Sequence, residues 1–249
     1  GRFQASPCSA ASREFHQQKR DQAMIVYGHR GAAGEAPENT IAGFKYAEGI
    51  GVRAFELDVR LSKDRQLVVL HDDSPQRTAG APGKVWEYTV AELAAMDARA
   101  QHTTWPEATP IPTLAEVLRT FPKVAYQIEI KTASLQDLPD ICRGVAELVE
   151  ANGLAQQVEI SSFQDSALET MREVAPSLPR AFIGTYDSAR FVERALELGA
   201  QAACIHHKTA PPEVVRLARE RGLRIDGWQG NSHADLDLLL GWQCEAITS

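Results

Sequence analysis

A chain of 249 residues with 44% hydrophobic and 24% charged content can bury a substantial core and has the ordinary composition of a soluble enzyme. Its net charge of -7 argues against a broad nucleic-acid footprint, so any phosphate it binds is recognised locally. No run approaches the roughly 20 apolar residues of a membrane span, and the scattered Cys8, Cys142, Cys204 and Cys244 fit neither a thiolate zinc site nor a disulfide framework.

Residues 1–23 are polar, lack strand pattern and lack the apolar stretch of a secretory signal, so they are set apart as an extension. A helix over 11–23 with Ser12 as N-cap fits its second half. The absent signal and the scattered thiols point to the cytoplasm of a bacterium.

From Met24 onward, β-branched runs alternate with Ala/Leu/Glu-rich amphipathic segments, the pattern of βα units. Barrel strands are expected near 24–28, 54–60, 124–130, 158–162, 180–183, 203–206, 224–228 and 245–248. Helices are expected near 40–50, 113–120, 137–152, 165–174, 187–199, 211–221 and 233–241, several of them closed by glycine, as at Gly153, Gly199 and Gly222. This alternation predicts an α/β fold, a TIM (β/α)8 barrel over residues 24–249.

Residues 61–112 exceed an ordinary βα loop. QLVVLHDD reads as a further strand after the turn SKDR, and a small insertion over about 73–112, with a helix near 89–96, follows the second barrel strand. The pattern ends at the eighth strand without a final outer helix, and the 11–23 segment is the candidate to cover that place.

The chemistry starts in AFELDVR, where alternation puts Phe55, Leu57 and Val59 on one face and Glu56 and Asp58 on the other, toward the barrel lumen. YQIEIK repeats the device with Glu129 and Lys131. Carboxylates gathered at one mouth repel unless a cation compensates them, and an all-oxygen acidic set suits Mg²⁺ or Ca²⁺ better than zinc. The alternative is a structural ion network among Glu56, Asp58, Glu129, Lys131 and Arg30.

His29, in GHRG after the first strand, and His71, after QLVVL, flank this group. Paired there, they suit acid-base catalysis near neutrality, with Arg30 and Lys131 as cationic contacts for a phosphate. The PENT that follows reads locally as a helix start that fixes the loop carrying His29 and Arg30. Phe163 and Trp228, at strand ends, are substrate contacts or barrel-top packing. Of the adjacent His206 and His207 only one can face inward, and His206 is favoured.

The ordered set HRG…PENT, ELDV…HDD, IPTL, IEIK and SSF resembles the glycerophosphodiester phosphodiesterase family over about Met24 to Thr248. The resemblance implies metal-assisted hydrolysis of a small-molecule glycerophosphodiester to sn-glycerol 3-phosphate and an alcohol. It implies Glu56, Asp58 and Glu129 as metal ligands, His29 and His71 as base and acid, and Arg30 and Lys131 as phosphate contacts, with the substrate's neighbouring hydroxyl attacking phosphorus. Two departures stand out. DGWQGN replaces the VWTVN common in the family, which alters the substrate wall, and Ile-Thr-Ser replaces Ile-Thr-Asp at the last residues, which suggests an altered or truncated terminus.

Two alternatives remain open. A lysophospholipase D-like activity would use the same site with an apolar groove built from Trp86, Tyr88, Trp105 or Phe163. A noncatalytic phosphodiester-binding barrel would keep the phosphate contacts without turnover.

Overall fold

The computed structural model describes residues 24–184, 186 and 189–249. The 1–23 extension, with its expected Ser12 cap, its 11–23 helix and Cys8, lies outside them. Among the described residues the strands are β1 (Ile25–His29), β2 (Ala54–Leu61), β3 (Leu67–Val69), β4 (Ala125–Ile130), β5 (Val158–Ser162), β6 (Arg180–Ile183), β7 (Ala202–His206), β8 (Arg224–Trp228) and β9 (Ala246–Thr248). All but β3 pair in parallel, and β1 joins both β2 and β9, which closes an eight-stranded TIM barrel.

The helices are α1 (Ile41–Gly49), α2 (Gln76–Ala79), α3 (Val90–Ala94), α4 (Leu114–Thr120), α5 (Leu138–Ala151), α6 (Asp165–Val174), α7 (Ala189–Glu197), α8 (Pro212–Glu220) and α9 (His233–Gly241). The expected barrel strands and the helices match these to about two residues at each end, the ordinary uncertainty of a boundary, whereas the strand expected over QLVVLHDD is shorter and ends at Val69. Local chemistry explains several starts. Thr113 accepts from the Glu116 N–H at 3.2 Å while the Glu116 carboxylate accepts from the Thr113 N–H at 2.8 Å, a capping box that opens α4. Thr40 opens α1 by accepting from the Gly43 N–H at 3.0 Å. No described helix is long and apolar enough to cross a membrane.

Strand alternation sorts the side chains. Phe55, Leu57 and Val59 of β2 and Tyr126, Ile128 and Ile130 of β4 are buried against the helices, with the Phe44 ring of α1 tilted against Phe55, centroids 5.0 Å apart. The parallel register sets Leu57 beside Ile128, and therefore Asp58 beside Glu129 on the opposite face.

β3 runs antiparallel to the end of β2, pairing Val59 with Val69 and Leu61 with Leu67. Its own alternation faces two ways: Leu67 and Val69 join the main core, whereas Val68 and Leu70 join Val85, Leu93, Ala98 and Ile111 in a separate apolar cluster. The segment after β3 thus has a small core of its own, and its edge at His71 and Asp72 lies over the barrel mouth.

Candidate active site

The β1 strand ends in a turn that needs glycine at its base, because a Cβ on Gly28 would lie 2.1 Å from the Gly31 carbonyl oxygen. The Gly31 N–H donates to the Gly28 carbonyl at 3.1 Å, and the backbone turns through positive φ at Arg30 (52°) and Gly31 (91°). His29 and Arg30 are held at the tip. The Arg30 N–H donates to Glu56 Oε2 at 3.0 Å, and its guanidinium reaches Glu38 Oε1 at 3.0 Å and Asp58 Oδ2 at 3.5 Å.

Glu56, Asp58 and Glu129 are all buried and offer oxygens that lie within 4.8 Å of one another. Burial pushes Glu56 well above the usual carboxylate range, with Asp58 and Glu129 adding to the effect. Burial and the Asp58 charge raise Glu129 to about 7. Asp58 goes the other way: burial opposes its ionisation, but Lys131, His71, Arg30 and the Asn39 amide together hold it below its ordinary value.

The ion network anticipated as the alternative exists, since Lys131 Nζ lies 2.7 Å from Glu129 Oε1 and 3.2 Å from Asp58 Oδ1. It does not complete the site. Asp58 Oδ1 has only the Lys131 ion pair and no hydrogen bond, and two of the three carboxylates are driven toward protonation by burial and by one another. An oxygen-only, net acidic donor set gathered within 4.8 Å fits a hard divalent cation.

Both histidines share a cavity of ≈ 140 Å³ with Arg30, Glu56, Glu129 and Lys131. Burial, reinforced by the Arg30 charge, lowers His29 to about 4. Burial also lowers His71, against the pull of Asp58 and of Asp72, whose Oδ1 lies 2.6 Å from His71 Nδ1. Asp72 is in turn held by Arg77 at 2.7 Å.

Phe163 and Trp228 both line the cavity and meet edge to face, 6.0 Å apart. His206 packs 4.6 Å from the Trp228 ring at the rim and is not among the cavity-lining residues. His207 is buried and bonded to Asp235 through Nε2 at 2.6 Å. The floor is unusually polar: Arg224 pairs with Glu159 and with Asp226 at 2.9 Å, and Gln127 donates to Glu159 at 3.0 Å.

Several of these residues escape a motif-by-motif reading. PENT does more than start a helix: Asn39 is buried, sits at φ 55°, and donates through Nδ2 to Asp58 at 2.9 Å. Glu38 grips Arg30 and Arg77. Nothing in the spacing marks Arg77 or Asn39, but the alternation of VEISS does put Glu159 and Ser161 on the lumen face.

Residues 29–249 match the model of the glycerophosphoryl diester phosphodiesterase family. A glycerophosphodiester phosphodiesterase of Bacillus subtilis is 32% identical over 96% of this chain and 87% of its own length. Another, from Caldanaerobacter subterraneus, is 30% identical over 87% of this chain and 89% of its own. An Oleispira antarctica phosphodiesterase solved with the product sn-glycerol-3-phosphate superposes with a TM-score of 0.81 at 25% identity, covering 90% of this chain and 92% of that one. With the acidic lumen and both loop histidines inside the matched span, the chain belongs to the glycerophosphoryl diester phosphodiesterase family.

Proposed function

We propose that this chain hydrolyses glycerophosphodiesters to sn-glycerol 3-phosphate and an alcohol, using a divalent cation and a histidine pair. The observation that carries this reading is the convergence of His29, His71, Arg30, Lys131, Glu56 and Glu129 on one cavity, with Asp58 buried within reach of both carboxylates. Family membership and the product held by the Oleispira structure support the substrate class.

Glu56, Asp58 and Glu129 would hold Mg²⁺ or Ca²⁺, which when bound withdraws charge from a phosphoryl oxygen. Arg30 and Lys131 orient the phosphate. His29, neutral well below pH 7, accepts the proton of the substrate hydroxyl that neighbours the phosphate, and that oxygen attacks phosphorus. His71 gives its proton to the departing alcohol oxygen, the Asp72 carboxylate helping to keep that proton on the ring against burial. A water then opens the cyclic phosphodiester with the two roles reversed, which restores both histidines.

The test is release of glycerol 3-phosphate from glycerophosphocholine and glycerophosphoethanolamine after chelation and after return of Mg²⁺ or Ca²⁺. Restored release, lost again in His29→Ala and in His71→Ala, supports the assignment. No release with either metal overturns it. Running lysophosphatidylcholine beside glycerophosphocholine measures how far the exposed Phe163 and Trp86 admit an acyl chain.

A further inference from the structure

The cavity has a neighbour that the chemistry above leaves unused. Lys131 lines both the cavity and a groove of ≈ 410 Å³ bordered by Arg60, Lys63, Trp86, Thr132 and Ser134. Alternation along β2 puts Arg60 on the face of Glu56 and Asp58, one step nearer the mouth. Its Nε and Nη2 both donate to the His71 carbonyl oxygen, at 2.9 and 2.7 Å, so the guanidinium is fixed in place without a carboxylate partner among the described residues. Lys63 also forms no ion pair among the described residues and senses Glu92 only through space. Arg65, by contrast, is neutralised by Asp137 and Asp140. Arg60 likewise senses Asp58, Asp73, Asp72 and Glu129 only through space, so in a chain of net charge -7 two cations without a direct ion pair face one groove and offer a local anion site.

The groove lies on the His71 side of the reacting centre, because Arg60 grips the backbone of the residue assigned to protonate the leaving oxygen. Resting on the phosphodiesterase reading above, we propose that the groove receives the alcohol departing past His71 and binds a second phosphate group that this alcohol carries. The chain then prefers glycerophosphodiesters of phosphorylated alcohols to those of neutral or cationic ones. A planar guanidinium and a mobile ammonium suit phosphate oxygens, and the same pair repels a quaternary ammonium head group.

The test compares initial rates of glycerol 3-phosphate release by the metal-loaded full chain on three substrates. They are 1,3-bis(glycerophospho)glycerol, whose leaving alcohol carries a second phosphate, glycerophosphoglycerol, whose alcohol is neutral, and glycerophosphocholine, whose alcohol is cationic. Expected is a kcat/KM for the first about tenfold above the other two, the scale of one charge-assisted contact. The ratio collapses in Lys63→Glu and survives in Lys63→Arg. Equal kcat/KM on all three substrates, or a ratio unchanged in Lys63→Glu, overturns the groove assignment and leaves the phosphodiesterase reading standing. No release from any of the three overturns both.

Discussion

Arg77 and Glu38 meet at two points, with guanidinium Nη1 and Nη2 each 2.7 Å from a carboxylate oxygen. Arg77 belongs to the insertion and Glu38 to the loop between β1 and α1. Glu38 continues to Arg30 at 3.0 Å and Arg77 to Asp72 at 2.7 Å, so the two histidine-bearing loops share one ionic strut. The Arg77 side chain is 36% exposed, which keeps its contribution to global stability to about 1 kcal/mol or less. Its effect on turnover is larger because Asp72 orients His71. Arg77→Met lowers kcat/KM about 10–100-fold, the usual cost of losing an orienting partner, with Tm close to wild type. A fall in Tm that tracks the loss of activity would show that the strut holds the fold and not the site.

Asn39 serves Asp58 from a left-handed backbone conformation, and two variants separate these contributions. Asn39→Gly and Asn39→Ala both lose the amide donor to a charged carboxylate, which costs about 1.5–3 kcal/mol. Only alanine adds the left-handed penalty of about 1–2 kcal/mol. Chemical denaturation is expected to rank wild type above Asn39→Gly and Asn39→Gly above Asn39→Ala. Equal stability of the two variants would mean that the loop relaxes out of its observed conformation.

Burial, with Asp58 and Glu129 adding to it, pushes Glu56 toward its protonated form, so a neutral isostere is well suited to the metal-free fold. Glu56→Gln therefore leaves the chelated protein as stable as wild type or more so, by about 1 kcal/mol. Its turnover falls by about a thousandfold or more, the scale of losing an essential catalytic contact. Mg²⁺ or Ca²⁺ raises the wild-type Tm and fails to raise that of the variant. A variant that retains both activity and the metal-induced rise removes Glu56 from the ligand set.

Acid stability carries two opposed contributions. His29 is held at about 4 when folded against an ordinary 6.5, so the unfolded chain takes up that proton first and stability is lost as pH falls through this window. Glu129, raised to about 7 from 4.5 in the metal-free fold, stabilises at low pH and loses that contribution as pH rises toward 7. His29→Gln removes the first contribution alone, so its stability relative to wild type climbs as pH falls from 6.5 to about 4. A flat difference curve would show that His29 is not held neutral. Cation binding must also displace the protons that burial and crowding favour on Glu129 and Glu56, so Mg²⁺ affinity by calorimetry rises with pH through 7.

Much of the barrel is legible in the chain because its strands and helices obey different periods. AFELDVR and YQIEIK show by alternation alone which side chains enter the lumen, and Gly28 and Gly31 mark the turn that carries His29. What spacing does not show are contacts made across the fold. The amide of Asn39 finds Asp58 19 positions away, and Arg77 finds Glu38 39 positions away, through loops whose paths depend on tertiary packing. The insertion's separate core of Val68, Leu70, Val85 and Leu93 is similarly invisible until β3 folds back on β2, because its apolar residues are too sparse to announce a period.

The register that sets Leu57 beside Ile128 and Asp58 beside Glu129 ties two vocabularies into one strand pair. In each strand one set of alternate positions, Phe55, Leu57 and Val59 in β2 and Tyr126, Ile128 and Ile130 in β4, spells out how the barrel meets its helices, and the other set spells out what happens inside it. A slip of one residue would turn the carboxylates into the helix layer and the aliphatics into the lumen, so the oily face polices the spacing of the charged one. Substitutions at the inner letters can then rewrite the reaction while the outer letters keep the barrel shut, which leaves the lumen of this chain free to diverge without a new fold.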